Sequence, residues 1–126
     1  MELRDDLMQM EKKLWSGGQT EYRNTLDKDC LVAFTEMAGI SSRDEIASQA
    51  DARRFHDVDI DVDAMLRPTD DVAILTYHVH AMREKNVPYE AVVSSGYVRR
   101  AGAWKMMFHQ HTPLGDAAPH GGGERK

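Results

Sequence analysis

His78 and His80, and again His109 and His111, form H-x-H pairs, set in the runs TYHVHAM and MFHQHTP. Side chains two apart on an extended chain share a face, so each pair offers two imidazoles side by side. That is a common way to supply two zinc ligands or a base with its hydrogen-bond partner. A second pattern lies upstream, where HDVDIDVDAML, residues 56–66, carries Asp57, Asp59, Asp61 and Asp63 at every second position. D-x-D-x-D opens the calcium loop of the EF-hand, whose carboxylates converge across a glycine turn and close on a bidentate glutamate. Counted from Asp57, the sixth and twelfth positions are Val62 and Pro68; counted from Asp59 they are Ala64 and Asp70, so the Gly and the Glu are both missing. Val58, Ile60 and Val62, between the acids, are β-branched and favour a strand with one apolar and one acidic face.

The two histidine pairs should lie on strands that flank a shared neighbour. Twice the usual strand spacing separates them by roughly 10 Å, too far to converge on one ion. An aspartate from the adjacent strand could join His78 and His80, but that row is expected to face water. No metal and no cofactor is assigned. Cys30, the single cysteine, sits in the apolar run CLVAF. It reads as a small buried side chain, because a reactive thiol needs electropositive, partly exposed surroundings.

The elements that must position these groups follow from periodicity. Leu3, Leu7, Met10 and Leu14 recur at helical spacing, which predicts a helix over 2–16 ended by Gly17-Gly18. Tyr22 and Leu26, four apart, give a second helix over about 19–27 its buried stripe. The run CLVAFTEM, 30–37, predicts a strand inside the fold. Ser42 and Glu45 have capping-box spacing for a third helix over 42–50. From Arg53 the chain reads as four antiparallel strands, 53–66, 72–83, 89–100 and 104–112, joined by R-P-T-D, K-N-V-P and Ala101-Gly102. If Leu66 faces Asp71, then Asp59 faces His78 and Asp57 faces His80, with Val58, Ile60 and Val62 sharing the face of Leu75, Tyr77 and Val79. The tail after Pro113 is rich in Gly, Pro and charge, so residues 1–113 form one domain and 114–126 a flexible extension.

Bulk properties narrow the classes further. A chain of 126 residues with 41% hydrophobic content is one globular domain with a core that needs no disulfide. A net charge of −5 disfavours nucleic acid, which requires a basic face. No apolar run approaches the length of a membrane span, and MELRDDLMQM is acidic where a signal peptide would be basic, so the expectation is a cytoplasmic protein without nucleic-acid or membrane partners.

Helix, helix, strand, helix and a long meander ending in VRRAGAWKMMFHQHTPL resembles the nuclear transport factor 2-like superfamily, and within it the bacterial SnoaL-like domains of unknown function related to ketosteroid isomerase. The resemblance spans about residues 3–114 and is carried chiefly by the last hairpin: Tyr97, Val98, Arg99 and Arg100 before the turn, then Trp104, Lys105, His109, Gln110, Thr112 and Pro113. It implies an α+β cone, in which a strongly curved antiparallel sheet wraps around three N-terminal helices and leaves a pocket at its open end. It also implies a homodimer through the outer sheet face. Two heavy rows on the last strand, Trp104, Met106 and Phe108 against Met107, His109 and His111, support that dimer independently, since a monomer would leave one of them in water.

The expected function is binding of a small apolar or aromatic molecule by Tyr22, Tyr77, Tyr97, Trp104, His109 and Gln110, although core packing accounts for each aromatic as well. The alternative is an isomerase, cyclase or dehydratase of the ketosteroid-isomerase type, with His109 as general base, or His111 in its place, and Tyr77 or Tyr97 as proton donor. No Asp or Glu occurs in 91–115, so the carboxylate base of such enzymes is not evident there. A third reading is an association module without ligand. The K-N-V-P turn does not set which row of the last hairpin faces inward.

Overall fold

The computed structural model describes residues 2–33, 40–49 and 55–114. The expected end of the first strand, 34–37, and the tail, 115–126, lie outside the described residues. Helix α1 spans Leu3–Ser16, with Asp5 and Asp6 in its first turn and Lys13 in its last, each sign placed favourably against the helix dipole. It stops at Gly17, where a Cβ would lie 2.4 Å from the Lys13 carbonyl and 2.4 Å from the Glu21 side chain. The Gly18 N–H donates to Glu21 Oε1 at 2.7 Å as α2 begins, Gln19–Thr25. Helix α3, Arg43–Gln49, opens on the reciprocal cap its sequence predicts: Ser42 N–H donates to Glu45 Oε1 at 2.9 Å, and Glu45 N–H to Ser42 Oγ at 3.3 Å.

Among the described residues, six strands form one sheet: β1 Leu26–Ala33, β2 Ile40–Ser41, β3 Phe55–Thr69, β4 Val72–Arg83, β5 Val87–Arg100 and β6 Ala103–Pro113, in the order β2-β1-β6-β5-β4-β3. The expected meander is β3 to β6, and β1 extends it by lying parallel to β6. Strand β1 starts four residues before Cys30, through the polar LDKD. Asp27, buried there, is held by Arg100 at 3.0 Å and by the Asp29 N–H at 3.1 Å, which makes an acidic start to a strand tolerable.

The acidic ribbon is a strand, wet on one side. Asp59, Asp61 and Asp63 are exposed, Val58, Ile60 and Val62 are half-buried, and Asp63 meets His78 Nδ1 at 2.7 Å. Its register differs by two from the expected one: Asp59 faces His80 and Asp61 faces His78. Strand β3 runs on through Pro68 to Thr69, so the turn falls at Asp70-Asp71. A shift of two preserves the faces, which is why the polar and apolar rows are still as anticipated.

Between β4 and β5, a helical turn at Glu84–Asn86 with positive φ at Lys85 and Asn86 reverses the chain. The register is then unbroken from Arg83↔Val87 to Val72↔Val98, which settles the parity the sequence left open. The β5–β6 turn has positive φ at Ala101, 51°, and at Gly102, 82°, as a tight hairpin requires. Strand β6 then bulges. Gly96 faces Phe108 but Tyr97 faces Met106, so Met107 is the extra residue. The two expected rows are therefore mixed: Met106, His109 and His111 are buried on the inner face, whereas Phe108 and Gln110 lie on the outer row. The inner face packs Ala73, Leu75, Val79, Ala91 and Val93 against Leu7 and Leu14 of α1, with Tyr22, Leu26 and Ile46 completing the core.

Candidate functional site

The core contains a carboxyl group. Glu11 of α1 is fully buried, one helical turn after Leu7 and one before Leu14 and Trp15, so its side chain shares their inward stripe. Tyr77 of β4 donates its hydroxyl to Glu11 Oε1, and Tyr97 of β5 donates to Oε2. Trp15 Nε1 donates to the Tyr77 hydroxyl at 2.7 Å, so that oxygen both gives and accepts. Burial pushes the Glu11 carboxyl above its ordinary 4.5, against hydrogen bonds from Tyr77, Tyr97 and Ser95 that favour the charged form. Burial first, then the nearby Glu11 charge and the hydrogen bond to it, holds both phenols well above their ordinary 10.0.

A histidine pair adjoins this acid. His109 Nδ1 lies 3.8 Å from Glu11 Oε1 and 2.8 Å from Ser95 Oγ. His109 Nε2 meets His111 Nε2 at 2.8 Å, and His111 Nδ1 meets the Tyr89 hydroxyl at 3.1 Å. The indole of Trp15 stacks on His111, with ring centroids 4.6 Å apart and planes 8° from parallel, and meets Phe55 edge-on at 4.8 Å. Arg83 lies over the Tyr89 ring at 4.5 Å. The result is a continuous buried polar network among apolar side chains, which can hold a proton, pass it on and donate hydrogen bonds.

The candidates read from the sequence divide accordingly. Tyr77, Tyr97 and His109 are brought together around Glu11. Tyr22 is buried and near enough to Tyr77 for its charge to bear on that phenol. Trp104 stands apart from the cluster, half-buried, with Arg67 at 5.7 Å and Arg99 at 5.5 Å over its ring. Gln110 is exposed, because the parity that turns His109 and His111 inward turns it out. His78 and His80 are exposed on the opposite face of the sheet from His109 and His111, so face as well as distance separates the two pairs. Among the described residues no helix is long and apolar enough to cross a membrane.

Glu11, Ser95, Tyr89 and Trp15 escaped the sequence reading. For Glu11 a signal was present: it lies four after Leu7 and three before Leu14, on the apolar stripe, where an acid has no reason to be unless something inside receives it. Ser95 and Tyr89 carried no such mark, because the parity of β5 was open.

No family model matches the chain, and no curated protein matches it. Solved structures do. A protein named as a candidate ketosteroid isomerase from Parabacteroides distasonis superposes with a TM-score of 0.74 at 11% identity, covering 92% of this chain and 91% of that one. A nuclear transport factor 2-like protein of unknown function from Prochlorococcus gives 0.73 at 11% identity, covering 93% and 98%. A nuclear transport factor 2-like protein from Cytophaga hutchinsonii gives 0.70 at 12% identity, covering 90% and 100%. At these identities the likeness is one of fold: the chain has the α+β, nuclear transport factor 2-like cone.

Proposed function

We propose that this cone-fold chain binds a small, mainly apolar or aromatic molecule in its interior and performs acid–base chemistry on it, of the isomerase, cyclase or dehydratase kind. The observation that supports this reading is Glu11, a buried carboxyl with a tyrosine hydroxyl on each oxygen. A carboxyl lifted by burial exchanges protons near neutral pH far better than a solvated one. Glu11 takes a proton from the carbon beside a carbonyl group and returns it. Tyr77 and Tyr97 orient the carboxylate and steady its charge. His109, the base expected from the sequence, acts beside Glu11 through Ser95. The likeness in fold to the candidate ketosteroid isomerase adds weight. The polar cluster favours this reading over simple binding by an apolar hollow.

The test is deuterium uptake from D2O at the carbon beside the carbonyl of a panel of small cyclic and aromatic ketones, followed by NMR. The expected result is catalysed uptake that falls about 10²–10⁴-fold in Glu11→Gln. Equal rates in the variant remove Glu11 from the role, and an uncatalysed panel removes the acid–base reading. The same chain is proposed as a cytoplasmic homodimer joined through the outer sheet face, for which the exposed Leu31 and Leu66 are the supporting observation.

A further inference from the structure

We infer that Tyr89, His111, His109, Ser95 and Glu11 form a proton wire, along which a proton taken up at Tyr89 arrives on Glu11 while both imidazoles stay neutral. This deepens the acid–base reading and rests on it for its purpose, though not for its geometry. Each link is a contact between groups able to exchange donor and acceptor roles. Tyr89 meets His111 Nδ1 at 3.1 Å, the two Nε2 atoms meet at 2.8 Å, and His109 Nδ1 meets Ser95 Oγ at 2.8 Å. Ser95 also lies close enough to favour the charged form of Glu11, whose Oε1 is 3.8 Å from His109 Nδ1, so the hydroxyl is placed to carry the last step between them. An Nε2···Nε2 contact forces one ring to donate and the other to accept, so the two tautomers are locked to each other. Relative exposure rises along the chain from Glu11 at 0% through His109 at 2% and His111 at 4% to Tyr89 at 5%, which gives the wire an inner and an outer end.

Both proton arrangements satisfy every link. With Glu11 ionised, Ser95 donates to Glu11, His109 Nδ1–H donates to Ser95, His111 Nε2–H donates to His109 Nε2, and Tyr89 donates to His111 Nδ1. When Tyr89 gains a proton from water, it passes its own to His111 Nδ1. His111 then passes its Nε2 proton to His109 Nε2, His109 passes its Nδ1 proton to Ser95, and Ser95 passes its hydroxyl proton to Glu11. One proton has entered, one carboxylate has become an acid, and no ring has held two protons at rest. Among the described residues, groups packed against the wire include Tyr77 and Tyr97 on Glu11, Trp15 on His109 and His111, and Phe55 and Arg83 on Tyr89. The wire thus couples the protonation of Glu11 to the tautomer of both histidines.

That coupling is measurable without any ligand. Long-range ¹H–¹⁵N NMR on the full chain labelled with ¹⁵N-histidine reads which nitrogen carries the proton, and the loss of signals in His109→Asn and His111→Asn assigns them. In Glu11→Gln, where the amide donates toward Ser95 as the protonated acid would, His109 should carry its proton on Nε2 and His111 on Nδ1. Tyr89→Phe removes the hydroxyl that accepts from His111 Nδ1. A protonated Nδ1 then loses this acceptor, and the opposite tautomers should appear: His109 protonated on Nδ1 and His111 on Nε2. Identical tautomers in both variants, or a charged imidazolium in the unmodified chain at pH 7, overturn the wire. Opposite tautomers in a chain that exchanges no deuterium into ketones would leave the wire standing and sink the acid–base reading alone.

Discussion

Glu11 Oε1, carried by a helix, lies 3.8 Å from Nδ1 of His109, carried by the sheet, and both side chains are almost wholly buried. Carboxyl and imidazole therefore arrive from different layers of the fold, and the tyrosines from two further strands. Substitutions can separate what the cluster does for stability from the acid–base chemistry proposed for it.

Replacing Glu11 by Ala strips the acceptor from two buried phenols. Each orphaned hydroxyl costs about 1–3 kcal/mol, so the variant should lose roughly 2–6 kcal/mol of unfolding free energy. Glu11→Gln keeps the volume and one acceptor oxygen and should lose clearly less. Urea denaturation of the three proteins checks this ordering. An Ala variant as stable as the parent means the tyrosines do not depend on the carboxyl.

Because burial raises the Glu11 pKa above 4.5, the folded protein binds that proton more tightly than the unfolded chain does. The associated stability is fully present below the unfolded value and is lost as pH rises through the folded one. The parent should therefore show a component of stability that declines upward from about pH 4.5, and Glu11→Gln should lack it. Urea midpoints across pH 4 to 8 for both proteins measure the difference. Parallel curves would mean that the group titrates alike in both states.

Much of the fold was legible because it rests on two periodicities. The stripe Leu3, Leu7, Leu14 specifies α1, and the alternation of acids with Val58, Ile60 and Val62 specifies β3, so both emerge from local sequence alone. The site was half legible. Tyr77 lies on a strand whose face was fixed by the β3 hairpin, and it was placed correctly on the core row. The orientation of His109 passes through the turn at Lys85-Asn86 and the bulge at Met107. Each of these shifts parity by a local backbone choice that the residue types do not dictate. Glu11 was overlooked for another reason. An acid on an apolar stripe becomes meaningful only when the receiving hydroxyls, 66 and 86 residues away in the chain, are seen to meet it.

The bulge has a steric signature at Gly96. A Cβ there would lie 2.1 Å from Cε2 of Phe108, whose ring covers the glycine on the outer face. Gly96→Ala should displace that ring and cost about 1–3 kcal/mol, the usual range for overpacking. In a Phe108→Ala background the same substitution should cost little, because the obstructing ring is gone. A double-mutant cycle from denaturation midpoints gives the coupling directly, and additive effects would show that the ring is not what excludes a side chain.

The same ring belongs to a row that crosses the whole sheet. Register partners run Leu66↔Ile74↔Gly96↔Phe108↔Leu31 on the outer face, with Leu66 62% and Leu31 57% exposed at the two ends. Four large apolar side chains in line, with Val92 and Val98 half-buried on the same face, make a patch of the kind that soluble monomers seldom leave in water. A second copy of the chain, in the proposed dimer, would cover it by symmetry, since an isologous interface needs only one self-complementary surface. The unmodified chain should sediment as a dimer at micromolar concentration. Leu31→Asp or Leu66→Asp should convert it to a monomer by placing a desolvated charge in the interface. Both residues are more than half exposed, so folding stability should change by no more than about 0.5 kcal/mol and the loss of the dimer would not reflect a loss of fold. A parent chain that sediments as a monomer, or aspartate variants that remain dimeric, would place the association elsewhere or remove it.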